Sequence, residues 1–143
     1  MTPISIKNLR KSYASNLVLD GINLEVEPGK IIGYIGPNGA GKSTTIKILT
    51  GIIPDFDGDV SVLGMDIRKD ALEIKRRIGF IPENASLYES LSPMEYLNFV
   101  GQLYGLGISQ IKQKAADLLQ VFGLGDKQDV RMNTFSKGMK QKV

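Results

Sequence analysis

Residues 36–44 read Gly-Pro-Asn-Gly-Ala-Gly-Lys-Ser-Thr and follow directly on the apolar run "IIGYIG" at 31–36. So bare a stretch can curl sharply, because residues without a Cβ enter left-handed turns at no steric cost and let the backbone approach a partner closely. Gly36, Gly41, Lys42 and Ser43 fit the pattern G-x-x-x-x-G-K-[ST], whose natural setting is the junction between a buried strand and a helix. That setting commits the chain to an α/β arrangement. A polyphosphate needs several backbone N–H donors converging on it, and Gly39 and Gly41 permit that curl. A helix beginning at Lys42 adds unpaired N–H groups and the positive end of its dipole. In this pattern Lys42 reaches the β and γ phosphates and the Ser43 hydroxyl holds Mg²⁺. The alternative is a glycine-rich turn with no ligand.

Composition narrows the chemistry further. There is no histidine and no cysteine, so imidazole catalysis, thiolate chemistry and disulfides are all excluded. The net charge of +3 is a local matter, since Lys137, Lys140 and Lys142 fall in a tail that carries no acid. The remaining residues balance, which argues against a nucleic-acid-binding face. With 143 residues, 42% of them hydrophobic, the chain has enough material for a core without metal or disulfide. No apolar stretch approaches the roughly 18 to 20 residues needed to cross a bilayer, and the N-terminus has no signal-peptide pattern. Taken by itself, the chain is expected to be soluble and cytoplasmic.

Hydrophobic periodicity divides the sequence in two. Ile4 and Ile6, Leu17 and Leu19, then Ile22, Leu24 and Val26 alternate with period two and predict half-buried strands. "IIGYIG" has the composition of a strand buried on both faces but is expected to lack a neighbour in this chain and leave apolar surface exposed, favouring self-association or low stability; a helix follows from about Lys42 to Thr50, closed by Gly51. "GDVSVLG" (58–64) predicts a short strand and "DALEIKRR" (70–77) a short helix feeding the apolar run "IGFIP" (78–82). Beyond Leu87 the period becomes 3.6. Ser92, Pro93 and Glu95 form a capping box ahead of Leu97, Val100 and Tyr104, with Gly105 as the stop. Ser109 opens a second helix bearing Ile111, Ala115, Leu118, Leu119 and Phe122 on one stripe, closed by Gly123. A third helix begins after Ser136.

Phosphate loops serve kinases, GTPases and many ATPases, so the loop alone does not name the reaction. A second marker, "FSKGMKQKV" (135–143), resembles the signature motif of ATP-binding-cassette (ABC) ATPases. Ser136 and Gly138 stand at the family's serine and second glycine, and Gln141, Lys142 and Val143 continue the match. Phe135, Lys137 and Met139 depart from its usual leucine, first glycine and glutamine. In isolation the same segment is compatible with a plain serine cap on a basic surface. Tyr13 lies where the family places an aromatic ring that stacks on adenine, or is a sheet-edge tyrosine. "IGFIPE" resembles the strand leading to the family's Q-loop, with Glu83 where glutamine is more usual and a carboxylate able to approach Mg²⁺. An exposed loop acid is the other reading of Glu83. Glu83 together with "SKGMKQ" resembles the ABC-2 type exporter subfamily.

The resemblance implies an α/β P-loop NTPase fold. Residues 1–83 would form an antiparallel β subdomain with the phosphate-loop core, and 84–143 a helical subdomain ending in the signature motif. It implies ATP and Mg²⁺ as ligands, held by Tyr13, by the loop residues Gly36, Pro37, Asn38, Gly39, Ala40, Gly41, Lys42, Ser43 and Thr44, and by Ser136 and Gly138. Ser43 and Glu83 would approach the metal, and Lys42 and Glu83 would carry catalytic roles. The partners implied are a separate transmembrane permease subunit and a second nucleotide-binding domain, as homodimer or heterodimer, without nucleic acid. The chain would then lie peripherally on the inner face of the cell membrane. Leu87, Tyr88, Met94 and Phe99 could dock the permease or fill the helical block's own core. The resemblance spans all 143 residues but only the first part of the family's domain, before the Walker B strand. The resemblance implies that the parent protein is an ATPase; because no apolar run ends in Asp-Glu and no histidine can act as the switch, this chain alone is expected to bind nucleotide weakly and not hydrolyse it. A soluble relative acting on DNA or ribosomes is the alternative. A GTPase reading rests on "DKQD" (126–129), a weak match to N-K-x-D preceded by an amphipathic helix rather than a buried strand.

Overall fold

The computed structural model describes residues 2–82 and 87–143. They form two compact units, Met1–Phe80 and Ile81–Val143, each with a core of its own.

The first unit is built on a hairpin. Strand β1 (Ile4–Tyr13) turns through Ala14 and Ser15 into β2 (Asn16–Val26), and Ala14 takes the positive φ of 51° that so tight a turn requires. Helix α1 (Lys42–Leu49) follows, then β3 (Asp57–Val62), β4 (Met65–Asp66) and α2 (Ala71–Arg77). The strands make one antiparallel sheet in the order β2-β1-β3-β4, so β1 is paired on both sides. Its pairing with β2 shifts register three times, between Ile6 and Leu9, Leu9 and Lys11, and Lys11 and Ser12. The shift between Ile6 and Leu9, with Asn8 at φ 50°, lets these residues, three apart in sequence, both be buried on one face. That face packs Ile6, Leu9, Leu19, Val60 and Val62 against Ile48 and Leu49 of α1 and Ile74 of α2. Burying each such side chain contributes about 1.5–3 kcal/mol.

The second unit contains α3 (Pro93–Leu103), α4 (Ile108–Val121) and the single turn α5 (Lys137–Lys140). The expected capping box is present in both directions. Ser92 Oγ accepts from the Glu95 N–H at 3.2 Å, and Glu95 Oε2 accepts from the Ser92 N–H at 2.8 Å. Helices α3 and α4 approach closely at Gly101, where a Cβ would lie 2.7 Å from Ile111 Cγ1. Leu119, Leu124, Met132 and Phe135 form the buried centre, with Leu87, Leu91, Met94 and Leu97 packed around it. Three backbone bonds tie the irregular segment after α4 to the residues around the start of α3: Met94 N–H to Gln128 O, Met132 N–H to Leu91 O and Asn133 N–H to Glu89 O.

Several expectations require correction. "IIGYIG" is not a strand, and neither is "IGFIP"; among the described residues neither joins a ladder. Ile31, Ile35 and Ile81 are almost wholly exposed, in keeping with the apolar surface expected of a run without a neighbour. A strand in the middle of a parallel sheet needs a neighbour on each side to satisfy its N–H and C=O groups, and among the described residues these runs have none. What remains is an apolar groove of about 260 Å³ lined by Ile4, Leu24, Val26, Ile32, Tyr34 and Ile46 among others. Helix α4 starts at Ile108 behind Gly107, one residue before the expected Ser109. Leu118 and Phe122 lie outside its buried stripe of Ile111, Ala115 and Leu119, and Tyr104 is exposed.

Replacing Ser92 by alanine removes the cap from α3 and leaves the Glu95 N–H without its acceptor. Stability of the helical unit is expected to fall by about 1 kcal/mol, read by chemical denaturation; an unchanged midpoint would show that the box contributes nothing.

Candidate functional site

The glycine-rich loop runs from Gly36 into α1. Gly39 and Gly41 both adopt φ 82°, in the left-handed region, but they are constrained differently. A Cβ on Gly39 would meet nothing within 4 Å, whereas one on Gly41 would strike Leu19 Cδ2 and lie 3.0 Å from the Val18 carbonyl oxygen. Gly41 is therefore the point at which the loop is pressed onto β2. Helix α1 starts there: the Thr45 N–H donates to Gly41 O at 2.9 Å and Thr45 Oγ1 donates to the same carbonyl at 3.1 Å. The N–H groups of Lys42, Ser43 and Thr44 have no acceptor among the described residues.

The Lys42 side chain turns back over the loop. Its ammonium donates to Gly36 O and to Pro37 O, each at 2.7 Å, which holds a positive charge at the loop's mouth. Ser43, one of the residues whose N–H is free, is exposed. Free amides, a helix N-terminus, a lysine and a hydroxyl form the donor set that a metal-bound polyphosphate needs, so the residues present fit both ligands. Tyr34, from the apolar run before the loop, approaches Thr45 Oγ1 at 3.4 Å.

Tyr13 is the last residue of β1, 47% exposed. Lys11, two residues earlier and on the same face, is buried to 7% exposure, and its ammonium bonds Asp55 at 2.8 Å while lying 5.1 Å from the Tyr13 ring centroid. The hydrogen bond and the charge of Lys11 hold the Asp55 carboxyl below its ordinary value of 3.8. A carboxyl depressed in the folded state stabilises the fold above the unfolded pKa, and that contribution is lost as pH falls through the folded value. Sequence reasoning singled out Tyr13 but missed Lys11 and Asp55. The i, i+2 spacing of Lys11 and Tyr13 on one strand was a usable signal; the partner 44 residues away left none.

In the second unit Ser136 caps α5, its Oγ accepting from the Met139 N–H at 3.3 Å, and Gly138 is exposed in the turn that follows. The Lys140 ammonium fixes this turn to Glu89 at 2.7 Å. Leu87 and Met94 pack against the unit's core, whereas Tyr88 and Phe99 are exposed and meet edge-to-face at 5.9 Å. "DKQD" follows α4 and includes part of a 3₁₀ turn, Gly125–Lys127, with no strand before it, so the geometry does not favour a guanine-binding motif. Glu83 lies outside the described residues. Among the described residues no helix is long and apolar enough to cross a membrane.

The ABC transporter family model matches residues 19–143. The chain belongs to the ABC transporter family. It is 36% identical over 140 residues to the linearmycin resistance ATP-binding protein LnrL of Bacillus subtilis, covering 98% of the chain and 45% of that protein. It is also 36% identical over 140 residues to the daunorubicin/doxorubicin resistance ATP-binding protein DrrA of Streptomyces peucetius, covering 98% of the chain and 42% of that relative. The chain thus spans less than half the length of either ABC relative. A solved structure described as the ATP binding subunit of an ABC transporter superposes with a TM-score of 0.83 at 35% identity, covering 99% of the chain and 59% of that structure. The α/β fold of an ABC ATPase, with antiparallel sheet and helices, is therefore established for this fragment.

Two measurements test the geometry. Gly41→Ala is expected to lower the melting temperature clearly more than Gly39→Ala, because both pay for a left-handed alanine, about 1–2 kcal/mol, and only Gly41 also collides with β2; equal losses would contradict the contact. The melting-temperature gap between the native chain and Asp55→Asn is expected to stay constant above pH 5 and to close as pH falls below about 3.8. A gap independent of pH would show that the carboxylate is not held by Lys11.

Proposed function

We propose that this chain is the nucleotide-binding part of an ABC-type ATPase that powers export through a separate transmembrane permease subunit. The observation that carries the reading is the Lys42 ammonium held across the glycine loop by Gly36 and Pro37, in front of the unpaired N–H groups of α1. Two relatives named for antibiotic resistance support export as the direction.

In this reading Lys42 leaves its two carbonyl acceptors for the β and γ phosphates of ATP, and the amides of residues 39–44 line the phosphates, that of Ala40 by leaving the Pro37 carbonyl to which it donates at 3.3 Å. Pro37 and Asn38 shape the loop's outer arc. Ser43 and Glu83 would hold Mg²⁺, which when bound would supply positive charge to offset that of the phosphates. Tyr13 stacks on the adenine. Ser136 Oγ keeps its proton free while accepting the cap, so with Gly138 it can donate to the γ phosphate of ATP bound by a second nucleotide-binding domain. Pairing of two such domains around ATP then drives the permease, which keeps the protein at the inner face of the membrane.

Residues 1–143 contain no histidine and no apolar run ending in Asp-Glu, so nothing in them positions the attacking water. We accordingly expect binding without turnover from this chain. Isothermal calorimetry is expected to show Mg-ATP binding that Lys42→Ala weakens at least about tenfold, with no phosphate release above background. Absence of binding at millimolar Mg-ATP by folded protein would refute the assignment, and Lys42-dependent turnover would refute the division of labour.

A further inference from the structure

We propose that Lys11, anchored by Asp55, is a positioning residue for Tyr13: its ammonium occupies one face of the ring and leaves the other for the base of a bound nucleotide. The inference rests on the reading of this unit as a nucleotide site, and adds to it the device that orients the base.

Leu9, Lys11 and Tyr13 occupy alternate positions of β1, and although the pairing with β2 shifts register between them, the Lys11 ammonium lies over the Tyr13 ring and so on the same face. Along that face burial falls from Leu9, fully buried, through Lys11 at 7% exposure to Tyr13 at 47%. Strand pairing fixes where this face leads. Lys11 is paired with Leu19, and Leu19 is the side chain against which Gly41 is pressed. The ammonium and the ring are therefore carried on the face of the hairpin on which the phosphate loop ends.

A buried ammonium is costly unless its donors are satisfied. Lys11 has one carboxylate, Asp55, whose side chain is 94% exposed, and the Tyr13 ring at 5.1 Å. The arrangement is lopsided. Asp55 cannot surround the cation from solvent, so the π face supplies the rest of its electrostatic environment, and the cation in turn restricts the ring. The hairpin turn adds its own restraint, since Tyr13 pairs with Asn16 as the last rung before Ala14 and Ser15. An exposed tyrosine would otherwise lose rotamer freedom when a base stacks on it. Holding the ring beforehand removes part of that cost from binding. Inorganic tripolyphosphate, which has no base, gains nothing from the device.

The test compares Mg-ATP with Mg-tripolyphosphate by calorimetry on the whole chain and on Lys11→Met, Lys11→Arg and Asp55→Asn. Lys11→Met is expected to weaken ATP about three- to tenfold while tripolyphosphate affinity stays unchanged. Lys11→Arg, which keeps a cation against the ring, is expected to recover most of the loss. Asp55→Asn alters a solvent-exposed side chain and reports on the anchor should Lys11→Met fail to fold; a smaller, ATP-selective weakening is expected. Unchanged ATP affinity in Lys11→Met and Asp55→Asn, or parallel loss of ATP and tripolyphosphate, would overturn the proposal by showing that the pair only braces the fold. If the native chain binds neither ligand, the nucleotide reading itself fails and this inference with it.

Discussion

The backbone of Gly41 lies so close to β2 that no side chain fits between them, and the first unit depends on that approach. Leu19 and the Val18 carbonyl occupy the space a Cβ would need, while φ 82° turns the chain from the loop into α1. The contact fixes the start of the helix against the sheet. From there Thr45, Ile48 and Leu49 fall on its buried side, and the Lys42 side chain is directed back over the loop to the carbonyls of Gly36 and Pro37. A loop of exposed glycines would be floppy by itself. Here the stiffness comes from the hairpin, whose strand β1 is paired on both sides.

The two units are stabilised by different means. The sheet unit depends on pairing between residues far apart in sequence, such as Ile4 with Val62, and on a register shift that brings Ile6 and Leu9 to the same face. The helical unit relies more on local devices: a reciprocal cap at Ser92 and Glu95, a serine cap at Ser136, and a strap of three backbone bonds around the start of α3. Its α3–α4 contact requires the absence of a side chain at Gly101. Local caps survive small changes elsewhere, whereas long-range pairing is cooperative.

The apolar runs at 31–36 and 78–82 have the composition of central strands but not the environment of one. Each carries isoleucines that face solvent, and neither finds a ladder partner among the described residues. The relatives are more than twice as long as this chain, so strand-forming residues and ladder partners need not belong to the same stretch of sequence. Composition makes a segment suitable for a buried strand; only a neighbour on each side makes it one.

Local chemistry was legible in the sequence by itself. The glycines and lysine of the loop, the capping box, the helix stops at Gly51, Gly105 and Gly123 and the change of period after Leu87 each act over four residues or fewer, so spacing reveals them. Family membership followed from the same short motifs. Tertiary structure alone decided that "IIGYIG" stays out of the sheet and that Gly41, rather than Gly39, is the pressed glycine. It also decided that Asp55 reaches Lys11 across 44 residues and that the Lys11 ammonium lies over the Tyr13 ring. These outcomes depend on which distant surfaces meet, and a linear pattern carries no record of a contact whose partners are set by the packing of the whole unit.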